Sequence, residues 1–141
     1  MAIALKHVYD PPAKSDGARV LVDRLWPRGL SKEKAQITLW LKDVAPSDEL
    51  RKWYHARPTQ WQKFREKYLE ELSSREEAAA ALDELHRMAA KSKNLTLLYA
   101  SRNTDQNNAT VLKELLDGTK KPPRSTGGGA AAAVRQRARA R

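Results

Sequence analysis

Residues 20 to 29, VLVDRLWPRG, begin as three apolar positions and then place Asp23, Arg24, Trp26 and Arg28 within one short stretch. A second apolar run ends in the same manner, in YASRNTDQNN, which carries Tyr99, Ser101, Arg102, Asn103 and Asn107. Guanidinium groups bind phosphate and carboxylate oxygens bidentately. Arg24, Arg28 and Arg102 are therefore candidates to hold an anion, with Ser101 and Asn107 orienting it. Trp26 would wall the site, and Tyr99 and Asn103 would share the same edge. For proton transfer the candidate pair is Asp23 with His55 of WYHARP, because histidine alone titrates unperturbed near neutrality. Hydrolysis or lyase chemistry would suit such a pair, provided the fold brings the two together.

Each of these residues also has a purely structural reading. Asp23, Arg24 and Arg102 can pair with charges on neighbouring elements. Trp26 can fill a core crevice. Asn107 and Asn108 can bond locally at a helix start. His55 can complement the C-terminal dipole of its helix. No P-loop, G-x-S-x-G, G-x-G-x-x-G or H-E-x-x-H pattern occurs. His7, His55 and His86 stand far apart without carboxylates at ligand spacing. The sequence thus leads us to expect no cofactor and no built-in metal.

The elements that must position these residues follow from punctuation and period. Ile3 to Val8 and Arg19 to Val22 read as strands, separated by a loop marked by Pro11, Pro12 and Gly17. Ser31 is placed to cap one short helical turn. QITLWLKDVA is ambiguous, since Ile37, Leu39 and Leu41 alternate like a strand but the stretch is short. Ser47, with Asp48 and Glu49 behind it, opens a helix whose Leu50, Trp53 and Tyr54 share a face. Thr59 to Gln62 and Ser74 to Glu77 fit capping boxes for two further helices. The first carries the stripe Trp61, Phe64, Tyr68 and Leu72, and the second Ala78, Ala81, Leu82 and Leu85. Leu95 to Tyr99 is a compact buried strand. A polar turn leads from it to a last helix, capped by Asn103, Thr104 or Asp105 and closed by Gly118.

Near-continuous apolar strands separated by helices define an α/β protein: a single small domain with a short, mostly parallel sheet and several covering helices. In such sheets ligands bind beyond the carboxyl ends of the strands. That is where DRLWPRG and YASRNTDQNN would meet.

Composition bounds the remaining possibilities. The 141 residues fit one domain, and no apolar run approaches a membrane span. MAIALKHVYD lacks the basic start and long apolar segment of a signal peptide. Cysteine is absent, which excludes disulfides, thiolate metal sites and a cysteine nucleophile. A cytoplasmic protein is expected. Of the net charge of +10, seven positive charges lie on residues 119–141, a stretch without an acid. Removing those seven from the 27 basic residues leaves twenty against 17 acidic, a net of +3 for residues 1–118. The segment TKKPPRSTGGGAAAAVRQRARAR has no amphipathic period and is expected to be a solvated, disordered tail.

Three long stretches carry a family resemblance. HVYDPPAKSDGARVLVDRLWPRGLSK, WLKDVAPSDELRKWYHARPTQWQKFREKYLEEL and LTLLYASRNTDQNNATVLKELL resemble the YeaO-like branch of domain of unknown function 488, over about residues 3 to 117. The resemblance implies a small bacterial-type cytoplasmic α/β protein with no assigned reaction. Some members are labelled winged-helix regulators of the MarR type. That fold needs a recognition helix followed by a β-ribbon, and the order of elements here does not supply one. Some wider relatives carry cysteines at a supposed active site, and a thiol mechanism does not transfer to a chain without cysteine.

Three functions compete on these grounds. The first is binding of a small anionic molecule at the sheet edge, with or without acid–base chemistry. The second is nucleic-acid binding or regulation assisted by the basic residues 119–141, which would weaken steeply with salt. The third is a protein-interaction module presenting its helical tryptophans, Trp53 and Trp61.

Overall fold

The computed structural model describes residues 2 to 118. Strand β1 (Ala2–His7) is followed by a loop with one 3-10 turn (Lys14–Asp16) and by β2 (Ala18–Leu21). A single turn, α1 (Lys32–Ala35), leads to β3 (Leu39–Trp40), and a 3-10 turn (Lys42–Val44) follows it. Three helices come next, α2 (Asp48–Ala56), α3 (Trp61–Ser74) and α4 (Glu76–Lys91), then β4 (Asn94–Tyr99) and α5 (Asn108–Gly118). The four strands form one sheet in the order β1-β4-β2-β3, and every pair is parallel. This is the α/β architecture expected from the strand–helix alternation. The ambiguous QITLWLKDVA segment supplies the two-residue edge strand β3 and the 3-10 turn Lys42–Val44. Among the described residues no antiparallel ribbon follows a helix, as a winged helix would require.

Side-chain alternation along the strands divides the core in two. Val20, Leu95, Leu97 and Tyr99 face the larger cluster, where α2 to α5 contribute Leu50, Phe64, Tyr68, Leu72, Leu85, Leu112 and Leu116. Leu21 and Leu98 point the other way, onto Val8, Ala35 and Ile37, with Trp26 and Trp40 packed against them. The second face is covered by α1 and loops alone. It also holds the charges that the sheet buries. Asp16 pairs with Arg19 at 2.6 Å and with Lys6 at 3.1 Å, and Arg19 Nε donates to the Ala35 carbonyl at 2.9 Å. Asp16 is 7% exposed and Arg19 2%. Burial pushes the Asp16 carboxyl up, but bonds from the Ala13 N–H, Lys6 and Arg19 outweigh it and hold the group below its ordinary value.

The helix starts follow the sequence in part. Ser31 Oγ accepts from Lys34 N, and Ser47 Oγ accepts from Leu50 N. Neither of the two capping boxes forms. α3 begins at Trp61 with Gln60 in the cap position, and no side chain caps it. Ser74 is the last residue of α3, because a single residue, Arg75, separates that helix from α4. The cap of α5 is Asn107, whose Oδ1 accepts from Thr110 N at 3.1 Å, in place of the expected residues 103 to 105. The expected tail, 119–141, lies outside the described residues.

Candidate functional site

Strand β2 loses its neighbour's ladder at Val22, whose N–H donates to the Leu98 carbonyl at 3.1 Å. The Asp23 side chain supplies the next rung. Its Oδ2 accepts from Ala100 N at 2.8 Å and its Oδ1 from Asn108 Nδ2 at 3.2 Å. The same Asn108 amide donates to the Val22 carbonyl at 2.9 Å, and Trp40 Nε1 donates to the Asp23 carbonyl at 2.7 Å. Asp23 therefore ties the ends of two parallel strands to the first residue of α5. Burial raises its pKa, while the Ala100 N–H, Asn108 and the more distant charges of His7 and Arg51 oppose the rise.

Arg24 turns to the opposite wall. Its Nε donates to the Pro46 carbonyl at 3.0 Å and its Nη2 to the Ala45 carbonyl at 3.3 Å, fixing the segment that leads into α2. No carboxylate among the described residues forms an ion pair with it. Between these walls lies an open cleft of about 830 Å³ at the carboxyl end of the sheet. Helix α2 contributes Arg51, Tyr54 and His55, spaced i, i+3 and i+4 so that they share one face. The Tyr54 hydroxyl donates to the Gln106 carbonyl at 3.1 Å and ties α2 to the loop after β4. Burial raises the pKa of that phenol.

The loop after β4 is held by its own side chains. Ser101 Oγ accepts from Asn103 N, and Asn103 Oδ1 accepts from the N–H groups of Asp105 and Gln106. Asn107 Nδ2 donates to the Asn103 carbonyl at 2.7 Å. Arg102 is exposed on this loop and makes no hydrogen bond or ion pair with the described residues.

Of the residues singled out in the sequence, Asp23, Arg24, Trp26, His55, Ser101, Arg102, Asn103 and Asn107 line this one cleft. Arg28 and Tyr99 are not in its lining. Arg28 is exposed in the turn beyond Trp26, where its carbonyl accepts from the Tyr9 hydroxyl at 2.7 Å. Tyr99 is 4% exposed and meets His7 edge-on. No hydrogen bond joins Asp23 to His55. Arg51, Tyr54 and Asn108 also line the cleft and were missed as site residues. The helical spacing of Arg51 and Tyr54 to His55 was the available signal for two of them. Trp53 and Trp61 are half-buried against the larger core, and Arg57 and Lys67 lie over the Trp53 ring at 5.2 and 5.1 Å.

Among the described residues no group of three or more His, Asp or Glu is placed to hold a metal ion, and no helix is long and apolar enough to cross a membrane.

Comparison with known proteins adds the lineage. Residues 2–131 match the model of a family described as the inactive DUF488-N3 subclade. That span runs past Gly118, beyond the residues that carry the resemblance in the sequence. The chain is 47% identical over 116 residues to the uncharacterized protein YeaO of Escherichia coli (strain K12), covering 82% of this chain and 97% of that protein. It is 41% identical, over 82% of its length and 94% of theirs, to the uncharacterized proteins Mb3100c of Mycobacterium bovis and Rv3073c of Mycobacterium tuberculosis. No solved structure matches it.

Proposed function

The chain belongs to the inactive DUF488-N3 subclade, and from that premise we propose that its cleft binds a small anionic ligand, through phosphate or carboxylate, without turning it over. One observation carries the reading: Arg24 and Arg102 line the same cleft, and neither has a carboxylate partner among the described residues. Arg51, paired with Asp48 at 2.6 Å, adds a third guanidinium, and Asp23 is the single acid in the lining. The N-terminus of α5 faces the same end of the sheet, where helix N–H groups favour negative charge. A half-buried carboxylate whose two oxygens are tied to Ala100 and Asn108 is poorly placed to act as an acid or base, which fits the name of the subclade. Hydrolase or lyase activity by Asp23 and His55 is therefore not part of this proposal. A cytoplasmic location is.

The test is calorimetric titration of the full chain with phosphate, pyrophosphate and small organic acids, beside Arg24→Ala and Arg102→Ala. A ligand at about a hundred times its dissociation constant should add roughly 2.7 kcal/mol to stability. Arg102→Ala, at an exposed position, should leave the fold intact and weaken binding. Unchanged affinity in both variants would sink the reading.

The basic residues 119–141 favour a second one, in which they strengthen contact with nucleic-acid phosphates. Such binding should fall steeply with salt and disappear when 119–141 are deleted. Oligonucleotide affinity that survives the deletion would exclude it.

A further inference from the structure

The anion accounts for the guanidiniums and leaves most of the cleft unused. Resting on that proposal, we infer that the ligand carries a planar ring beside its anionic group: a nucleoside phosphate rather than a sugar phosphate or a simple organic acid.

Size is the first reason. A cleft of about 830 Å³ suits a ligand well beyond a bare phosphate, since small-molecule sites run from roughly 300 to 1,000 Å³.

The second reason is what the polar side chains of the lining already do. Both ends of the Asn107 amide, the Asn103 amide oxygen and the Asn108 amide nitrogen hold backbone groups or Asp23, so most of these amide groups are committed within the protein. A sugar phosphate presents several hydroxyls that need such groups. The polar groups left for a ligand are guanidinium nitrogens, which suit the anionic end, and a few others: the Ser101 hydroxyl, the His55 ring, the Asn103 amide nitrogen and the Asn108 amide oxygen.

The third reason is the rings. Trp26, Tyr54, His55 and Phe64 all line the cleft. Trp26 is fixed by its Nε1 donating to the Leu30 carbonyl at 2.9 Å and by an edge-to-face contact with Trp40 at 5.4 Å. Tyr54 is fixed by its hydroxyl and by stacking on Phe64, with centroids 4.3 Å apart and planes 16° from parallel. Rings held at their polar ends offer apolar surface with little rotamer entropy left to lose. Bases stack on such rings whatever their sequence identity, and a guanidinium like that of Arg102 can stack on them as well.

The experiment titrates the full chain with inorganic phosphate, ribose 5-phosphate, adenosine, and adenosine and uridine monophosphates, by calorimetry and tryptophan fluorescence. Stacking of the base should make the nucleotides bind about tenfold more tightly than ribose 5-phosphate. Tryptophan fluorescence should be quenched, and Tyr54→Leu should narrow the ratio. Equal affinity for ribose 5-phosphate and the nucleotides, both lost in Arg102→Ala, would overturn the ring inference and leave the anion site standing. Binding of adenosine as tight as that of its monophosphate, or no binding of any of the five, would overturn both.

Discussion

Asp23 shows how one carboxylate can hold a site together without serving as its reagent. Both of its oxygens accept hydrogen bonds, from Ala100 N and from Asn108 Nδ2, across the gap between β2, β4 and α5. Asp23→Ala should leave the Ala100 N–H without a partner and take from the Asn108 amide one of its two acceptors, the Val22 carbonyl remaining, and so destabilise the protein by about 1–3 kcal/mol, read as a lower urea midpoint. Asp16 behaves oppositely with pH. Its pKa lies below the ordinary 3.8, so its contribution is complete above that value and is lost as pH falls through the folded-state pKa. Asp16→Asn should remove this part of the acid-side slope from a pH series of melts, and it should weaken the fold at neutral pH. An unchanged slope would mean that Lys6 and Arg19 do not hold the carboxylate as described. Asp16 was not legible as a buried ion-pair centre, since its sequence surroundings, AKSDGA, read as an ordinary loop.

Among the elements, the loop between β1 and β2 is constrained by a close approach at Gly17. Gly17 has φ of +66°, and a Cβ there would stand 2.2 Å from the Asn94 carbonyl oxygen at the start of β4. Gly17→Ala combines a left-handed backbone with a clash against backbone. It should cost at least about 1 kcal/mol, and a thermal midpoint equal to that of the wild type would contradict this geometry. Helix starts that depend on one side chain were legible: Ser31 and Ser47 cap the helices that follow them. The boxes at Thr59 and Ser74 were misleading, because a box pattern fixes a helix start only where the preceding residue is free to be non-helical. Ser74 is instead carried within α3, which packs Phe64, Tyr68 and Leu72 into the core. Ser47 has a partner that no local pattern announces, since its N–H and hydroxyl both donate to Glu71 of α3.

At the scale of the molecule, one thin sheet separates two cores of unequal size. Packing on the two faces cannot be lost independently, because adjacent residues of β2, Val20 and Leu21, belong to opposite clusters. Unfolding should be a single transition. In a Trp53→Phe/Trp61→Phe background, fluorescence of Trp26 and Trp40 reports the second face, and it should follow the same urea curve as far-ultraviolet circular dichroism. Separate midpoints would mean that the loop-covered face opens alone.

By itself the sequence determined the strands, most of the helices, the α/β class and the two charged strand ends. Those depend on apolar period, caps and turn residues within a few positions of one another. Only the tertiary structure decided how the charges are used. Asp23 is bonded to residues 77 and 85 positions away, and Arg24 to carbonyls 21 and 22 positions away. The fold also drew Arg51 and Tyr54 into the cleft while leaving Arg28 outside it. A side chain's type limits which bonds it can make, but the choice among them rests on which distant backbone groups packing brings within reach.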